Sequence, residues 1–395
     1  MQCIIFSEEH CNPENLYPFH LTRHIQEIRL GILTIREKWE RTLGLEGFSK
    51  WEGDYKETER SFVIDNSIPS GTYLLLHANI LPNPELAQAI RALQPGEALI
   101  HEQAGAIALH FDARDVSSLH KIKVHQTIPY AGPLLAINAP WHIFQLNDQA
   151  IRLDFELLTA NRESAPISST NQVLGNHPVF LEEGVQMEAC VLNASAGPIY
   201  IGANAEIMEG SCLRGPVAIG ANAVLKMGSK IYGATTIGPY CMAGGEIKNT
   251  VMMGYSNKAH EGYLGDAVIG EWCNLGAGTS ASNVKNNAGP ILIYHPPSEG
   301  GRASVGNKCG LIMGDYSRSA INTCFNTGTV VGVSSSVFGT GLLPKYIPHF
   351  SWGAEGIRKY ELNRALRDID NWKKWKNSSL SPREQNILKY IYDNY

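Results

Sequence analysis

The chain has 395 residues, 44% hydrophobic and 18% charged, with a formal net charge of −5. That length suits two or three domains, and that balance holds enough apolar mass for more than one core. The negative charge disfavours nucleic acid or anionic lipid as a partner, and no run approaches the ~20 apolar residues that span a bilayer.

The N-terminus, Met1-Gln-Cys-Ile-Ile-Phe-Ser-Glu-Glu, carries acids where a signal peptide needs a basic segment, so a cytoplasmic protein is expected. Through residue 175, short apolar runs such as Cys3-Ile-Ile-Phe6 and Tyr73-Leu-Leu-Leu76 alternate with helical patterns such as Glu85 to Leu93, which follows Pro82 and Pro84. This alternation predicts an α/β domain with a mainly parallel sheet over 1–175. Leu158 to Gly175, rich in Ser, Asn and Thr, reads as a linker.

Ile201, Ile207, Leu213, Ile219, Leu225, Ile231 and Ile237 then recur at a strict spacing of six. A helix needs spacings of three and four, and a lone strand needs alternation. Six fits a left-handed parallel β-helix, in which one aliphatic residue per face points into a narrow core and small residues turn the corners. The period breaks around 243–265, where a loop or distorted coil is expected, and resumes at Ile269 and Leu275. Ile291 to Gly301 reads as an excursion, after which repeats resume near Val305 and Leu311 and run to about Phe338. The β-helix is thus placed at 176–345 and a helical tail at 346–395. In that tail Leu362, Leu366, Ile369 and Trp372 form one stripe, and Ser381-Pro-Arg-Glu384 is a capping box. The eight cysteines contain no Cys-x-x-Cys pair, and Cys190, Cys212, Cys241 and Cys273 fall within the repeats as small, reduced, buried side chains.

The segment richest in chemistry runs from Glu246-Ile-Lys248, through Asn257-Lys-Ala-His-Glu-Gly-Tyr-Leu-Gly-Asp266 and Trp272-Cys-Asn-Leu-Gly-Ala-Gly-Thr279, to Ser282-Asn-Val. Acylation by a thioester needs a base, donors for the oxyanion, and cationic or amide groups to hold a phosphorylated acceptor. Imidazole titrates near neutrality, so His260 is the candidate base. Lys248 and Lys226 are candidates for phosphate, and Tyr263, Asn274 and Asn283 for orienting the sugar and the acyl donor. The alternative for each is structural: a solvated corner lysine, an asparagine that simply tolerates a turn, or a histidine with no role. A zinc site needs several histidines on facing coils, and His260 and His295 are too few.

These motifs resemble the bifunctional N-acetylglucosamine-1-phosphate uridylyltransferase/glucosamine-1-phosphate acetyltransferase family. They resemble more closely a group of Bacteroidetes proteins described as sugar nucleotidyltransferases with a hexapeptide-repeat C-terminal domain. The resemblance is best over 199–283. It implies that Lys248 binds the sugar phosphate, that His260 is the catalytic base, that Tyr263 and Asn274 bind the sugar, and that Asn283 lies by acetyl-CoA. Lys226 stands where the family has a phosphate-binding arginine, with a short insertion after it. Past Asn283 the family's Tyr-Asp-Gly is replaced by Val284-Lys-Asn. The N-terminal domain resembles the nucleotidyltransferase half with losses. Ser7-Glu-Glu-His-Cys-Asn-Pro-Glu14 has no glycine-rich loop, and Asn79 stands where the family has a metal-binding aspartate, so Mg²⁺ use is in question. Arg23, Arg29 and Arg36 are read as surface ion-pair residues or as phosphate ligands.

The resemblance therefore implies acyl transfer, with acetyl-CoA as co-substrate, to an amino sugar phosphate or nucleotide sugar, by a homotrimer with its sites between subunits. The alternatives are a sugar-1-phosphate nucleotidyltransferase whose β-helix is an oligomerisation scaffold, and a non-catalytic nucleotide-sugar binding protein.

Overall fold

A narrow parallel coil has room for one large side chain per face per turn, and the residues spaced by six fill it. In the computed structural model, which describes residues 3–8, 11–48, 71–112 and 122–395, all seven aliphatic residues from Ile201 to Ile237 are at most 1% exposed. They line a left-handed parallel β-helix. Its first face stacks Val179–Leu181, Ile199–Ile201, Val217–Ile219 and Thr235–Ile237 in parallel register. The second stacks Gln186–Met187, Glu206–Ile207, Val224–Leu225, Met242–Ala243, Asn257–Lys258, Asn274–Leu275, Arg318–Ser319 and Ser336–Val337. The third stacks Gln172–Leu174, Val191–Asn193, Cys212–Arg214 and Lys230–Tyr232.

The stretch 243–265, where a loop or distorted coil is expected, is coil in continuous register with shortened corners. Strands Glu246–Gly254 and Tyr263–Glu271 each run along the third face and round a corner onto the first. The period breaks because corner residues are missing. Tyr232 pairs with Lys248 and Thr236 with Val251, so a four-residue step in one coil becomes three in the next. The single corner residues Asn249 and Asp266 have φ of +46° and +47°, a left-handed conformation that Asn and Asp tolerate. The corner between the second and third faces is also cut. Leu225 to Ile231 spans six positions, whereas their register partners Ala243 and Ile247 are four apart.

The excursion is an antiparallel hairpin of Leu292–Tyr294 and Arg302–Ser304. Pairing resumes with Val268 beside Ile312 and continues past Phe338 to Tyr346–Ile347. At the other end it begins at Gln172–Leu174, inside the expected linker. Cys190, Cys241 and Cys273 are buried as expected, but Cys212 is exposed, because its position on the third face points outward.

The chain packs as two compact units, one comprising Met1–Leu16, Arg23–Ile28 and Leu33–Asn138, the other Tyr17–Thr22, Arg29–Ile32 and Ala139–Tyr395. The first contains β1 (Cys3–Ser7), α1 (Ile35–Leu43), β2 (Glu46–Phe48), β3 (Thr72–His77), β4 (Ile80–Leu81), α2 (Pro84–Ala92), β5 (Glu97–His101), β6 (Gly105–Asp112), β7 (Gln126–Tyr130) and β8 (Leu135–Ala136). Its sheet has the order β2-β1-β3-β6-β5-β7. It is mixed: β1 is parallel to β2 and β3, while β6 is antiparallel to both neighbours. Helices α3 (His142–Gln145) and α4 (Asn147–Thr159) belong to the second unit, ahead of the boundary at 175 drawn from composition.

The tail forms α5 (Leu362–Lys374) and α6 (Pro382–Asn394), the latter with the Ser381–Glu384 capping box. On the expected stripe Ile369 is buried, while Leu362, Leu366 and Trp372 are half-buried. Lys373 pairs with Glu384 at 2.6 Å and lies 4.7 Å over the ring of Trp272. Tyr240, Tyr255 and Trp272 occupy successive corners between the first and second faces and stack at 4.9 and 4.3 Å.

Near the end of the β-helix, His349 is buried against Tyr17. The Val333 N–H donates to His349 Nδ1 at 2.8 Å, so Nε2 carries the proton that meets the Tyr17 hydroxyl at 2.7 Å. Burial, helped by Lys359, depresses this imidazole to about 3. The unfolded chain takes up a proton below about pH 6.5 that the folded unit refuses, so stability is lost as pH falls through that window. Denaturant titrations at about pH 7 and about pH 4.5 should show a larger loss for wild type than for His349→Gln.

Candidate functional site

The third face gathers the groups that matter. Its strands are three residues long, so one corner lies about 7 Å from the other along the strand. Tyr232, Lys248 and Gly265 are register partners on successive coils, as are Glu246 and Tyr263. Gly265 has no side chain, and Tyr263 lies across it: a Cβ there would stand 2.2 Å from the tyrosine oxygen. Asn283 Nδ2 donates to the Tyr263 hydroxyl at 3.1 Å and also to Asp266 Oδ2. Asp266 Oδ1 accepts from Asn249 Nδ2 at 2.7 Å, so this carboxylate, 4% exposed, joins two corners and Asn283. Burial, and then Asp266, push Tyr263 up to about 12, which keeps it a neutral phenol near neutral pH.

Lys248 Nζ sits 5.9 Å over the ring of Tyr232, whose hydroxyl donates to Glu246 Oε1 at 2.6 Å. Beside it opens a cavity of about 580 Å³ whose lining includes Arg214, Tyr232, Lys248, Asn249, Asp266 and Lys308. Its three cations, Arg214, Lys248 and Lys308, outnumber its two carboxylates, Asp148 and Asp266, and suit an anion such as a phosphate.

His260 stands at the other edge of this face, in the corner leading from Asn257–Lys258 to Tyr263. It is exposed, and among the described residues its ring has no hydrogen-bond partner. Lys258 Nζ donates to the His260 carbonyl at 2.6 Å. Lys230 and Glu261 form an exposed pair at 3.7 Å nearby.

Lys248, Tyr263 and Asn283 thus share one face, with His260 at its edge. Lys226 and Asn274 do not share it within one chain. Lys226 lies on the His260 corner, stacked beneath Gly244, whereas the register partner of Lys248 in the coil below is Tyr232. The corner that follows Lys226 keeps its full length, and the same corner one coil later, Ala243 to Ile247, is the shortened one. Asn274 is on the second face between Asn257 and Arg318. There Lys376 donates to Asn257 Oδ1 at 3.2 Å, and Arg318 lies 5.5 Å over Trp372, so tail residues meet its neighbours. His295 is 6% exposed and packs edge-on against Trp141 at 5.1 Å. The reading missed Asp266, Asn249 and Lys258. Lys258 was discoverable as a charge in the inward phase, six residues after the buried Met252 and six before the buried Leu264.

In the first unit, Ser7, Glu8, His77 and Asn79 are buried at the carboxyl ends of β1 and β3. There the chain leaves β1 toward β2 on one side and β3 on the other, the place where open α/β sheets bind ligands. Asn79 Nδ2 donates to Asn138 Oδ1 at 2.7 Å, and its Oδ1 is buried without a partner. Glu8 Oε1 accepts from the Ile25 N–H at 2.6 Å. Among the described residues no three His, Cys, Asp or Glu side chains converge, and position 79 holds a neutral amide, a poorer Mg²⁺ ligand than a carboxylate. Arg36 is paired with Glu27 at 2.6 Å. Arg29 donates to the Ile32 carbonyl, and Arg23 is buried rather than on the surface. Glu9 and His10, in the segment after β1, lie outside the described residues.

Residues 3–163 match the family model described as sugar nucleotidyl transferase. The N-terminal domain is nucleotidyltransferase-like. The match runs beyond the first unit through α4. A Sulfurisphaera tokodaii protein named bifunctional sugar-1-phosphate nucleotidylyltransferase/acetyltransferase is 30% identical over 240 residues, 58% of this chain and 49% of its own. The bifunctional protein GlmU of Methanocaldococcus jannaschii is 32% identical over 87 residues, 22% of this chain and 21% of its own. The chain therefore spans about half the length of the first relative and about a fifth of the second. A solved polySia specific acetyltransferase matches at 12% identity over 53% of this chain and 99% of its own, with a TM-score of 0.29, too low to carry an argument.

Transfer of a nucleotidyl group needs its phosphate charge offset by metal and cations. With a neutral amide at position 79, the purified protein is expected to release no pyrophosphate from a nucleoside triphosphate, a sugar 1-phosphate and Mg²⁺. Robust release in a coupled assay contradicts this expectation.

Proposed function

We propose that the β-helix transfers an acyl group, acetyl in the first instance, from a CoA thioester to an amino sugar phosphate or nucleotide sugar, with His260 as the base. The observation that carries this reading is the third face, on which Lys248, Tyr263 and Asn283 run between the His260 corner and a cation-lined cavity. The Sulfurisphaera tokodaii relative, named as a nucleotidylyltransferase/acetyltransferase, supports it.

The acceptor's phosphate sits against Lys248, with Arg214 and Lys308 on the same wall. Its amine lies toward His260. The neutral imidazole takes a proton from the ammonium, and the freed nitrogen attacks the thioester carbonyl. The tetrahedral adduct collapses with loss of the CoA thiolate, which takes up the second proton given up by the nitrogen as the amide forms, and the imidazolium returns its own proton to solvent. Tyr263, held as a phenol, and Asn283 donate to sugar or acyl oxygens. Sugar binding by Lys226 and Asn274, implied by resemblance, requires a neighbouring copy and so rests on a homotrimer. The family match over 3–163 favours a second reading, nucleotidyl transfer with the β-helix as scaffold, against which Asn79 weighs.

His260→Ala is expected to keep the native mass and melting temperature while losing acetyl transfer to glucosamine 1-phosphate or a close relative by about 10²-fold or more. Lys248→Ala should mainly raise KM for the phosphorylated acceptor. Equal rates in wild type and His260→Ala remove the histidine from the mechanism. Absence of transfer from any acyl-CoA by wild type removes the acyl-transfer reading. Light scattering at micromolar protein should give a trimer mass, and a monomer mass removes the part assigned to Lys226 and Asn274.

A further inference from the structure

The inward position on the second face is filled in turn by Met187, Ile207, Leu225, Ala243, Lys258, Leu275, Ser319 and Val337. Lys258 is the one cation in this series, and it is 2% exposed. Desolvating an ammonium is costly, and the aliphatic side chains at the same position of other coils avoid that cost. Packing alone therefore does not account for a lysine here.

Its hydrogen bonds give the account. Nζ donates to the Gly244 carbonyl at 3.2 Å and to the His260 carbonyl at 2.6 Å. Those carbonyls belong to successive coils on one corner, and the lower is the corner shortened by two residues, Ala243 to Ile247 against Leu225 to Ile231. The two coils run close at this corner: a Cβ on Gly244 would stand 2.3 Å from the Ala259 carbonyl oxygen. In two other coils a hydroxyl bonds the carbonyl that occupies the position of Gly244, Ser229 that of Lys226 and Thr323 that of Ala320. The shortened corner ends in Gly245, and the His260 corner in Gly262; neither has a hydroxyl.

We propose that Lys258 is a positioning residue, whose buried ammonium ties the shortened corner to the turn carrying His260 and so fixes where that imidazole stands. The proposal rests on the reading of His260 as the base. The charged groups facing the site are Glu261, which favours the ammonium, and Lys230, which opposes it; burial is the larger influence and brings Lys258 down to about 8.

Lys258→Met keeps the length and apolar character of the side chain and removes the donor. In the full-length protein the variant should keep its native mass. Its kcat for acyl transfer should fall about tenfold or more, with KM within about threefold of wild type. A kcat equal to wild type overturns the proposal. Wild-type protein gives a second arm that needs neither a variant nor turnover. Corrected for intrinsic rates, hydrogen-exchange protection of the amides from Ala259 to Tyr263 should fall between about pH 7 and about pH 9 as the ammonium loses its proton. Protection that stays flat across that range overturns the proposal whether or not the protein transfers acyl groups, whereas absence of transfer with falling protection overturns only the acyl-transfer reading.

Discussion

Everything in the C-terminal part of this protein depends on the narrowness of the β-helix core. Each face of each coil admits one inward side chain, so the chain must return an apolar residue to the axis at fixed intervals. Strands are only two or three residues long on most faces, and their backbone groups are satisfied by the coils above and below. Variation is therefore pushed outward, to the exposed positions of each face and to the corners. The candidate site is built from those two kinds of position. Lys248 and Tyr263 are outward residues of the third face, and His260, Asn249 and Asp266 are corner residues.

The same constraint decides what could be read from sequence. An unbroken spacing of six identified the coil, and Ile201 through Ile237 are all in the core. Between Ala243 and Ile269 the inward residues are Ile247, Met252, Lys258 and Leu264, at intervals of four, five, six, six and five. A reading tied to one interval sees disorder there, although the coils continue in register. The lost positions are corner residues, whose removal leaves the inward direction of the next strand unchanged. Asp266 was overlooked for a related reason: its two amide partners are seventeen residues away on either side, close only because one coil is that long. Lys226 and Asn274 were grouped with Lys248 by linear pattern, and nothing in a linear pattern states which face a residue occupies.

The first unit shows the limit from the other direction. Alternating strands and helices were visible, and α2 starts at Pro84, one residue ahead of the helical pattern at Glu85. The antiparallel β6 in the middle of the sheet was not visible, because a strand's direction depends on partners distant in sequence. The substitution at Asn79 was legible as a loss of charge. What the structure adds is that its amide donates to Asn138 while, among the described residues, its buried oxygen meets no donor.

The shortened corners have a consequence for how such a protein changes over generations. In most folds a one-residue deletion inside a regular element shifts every later side chain to the wrong face. Here a deletion confined to a corner is absorbed within that turn, and the following strand keeps its inward and outward faces. Length variation, ordinarily confined to surface loops, thus reaches the middle of the folded array. A lineage carrying this architecture can reshape the local relief of its working surface by losing or gaining single codons at the turns, with the axial packing inherited intact.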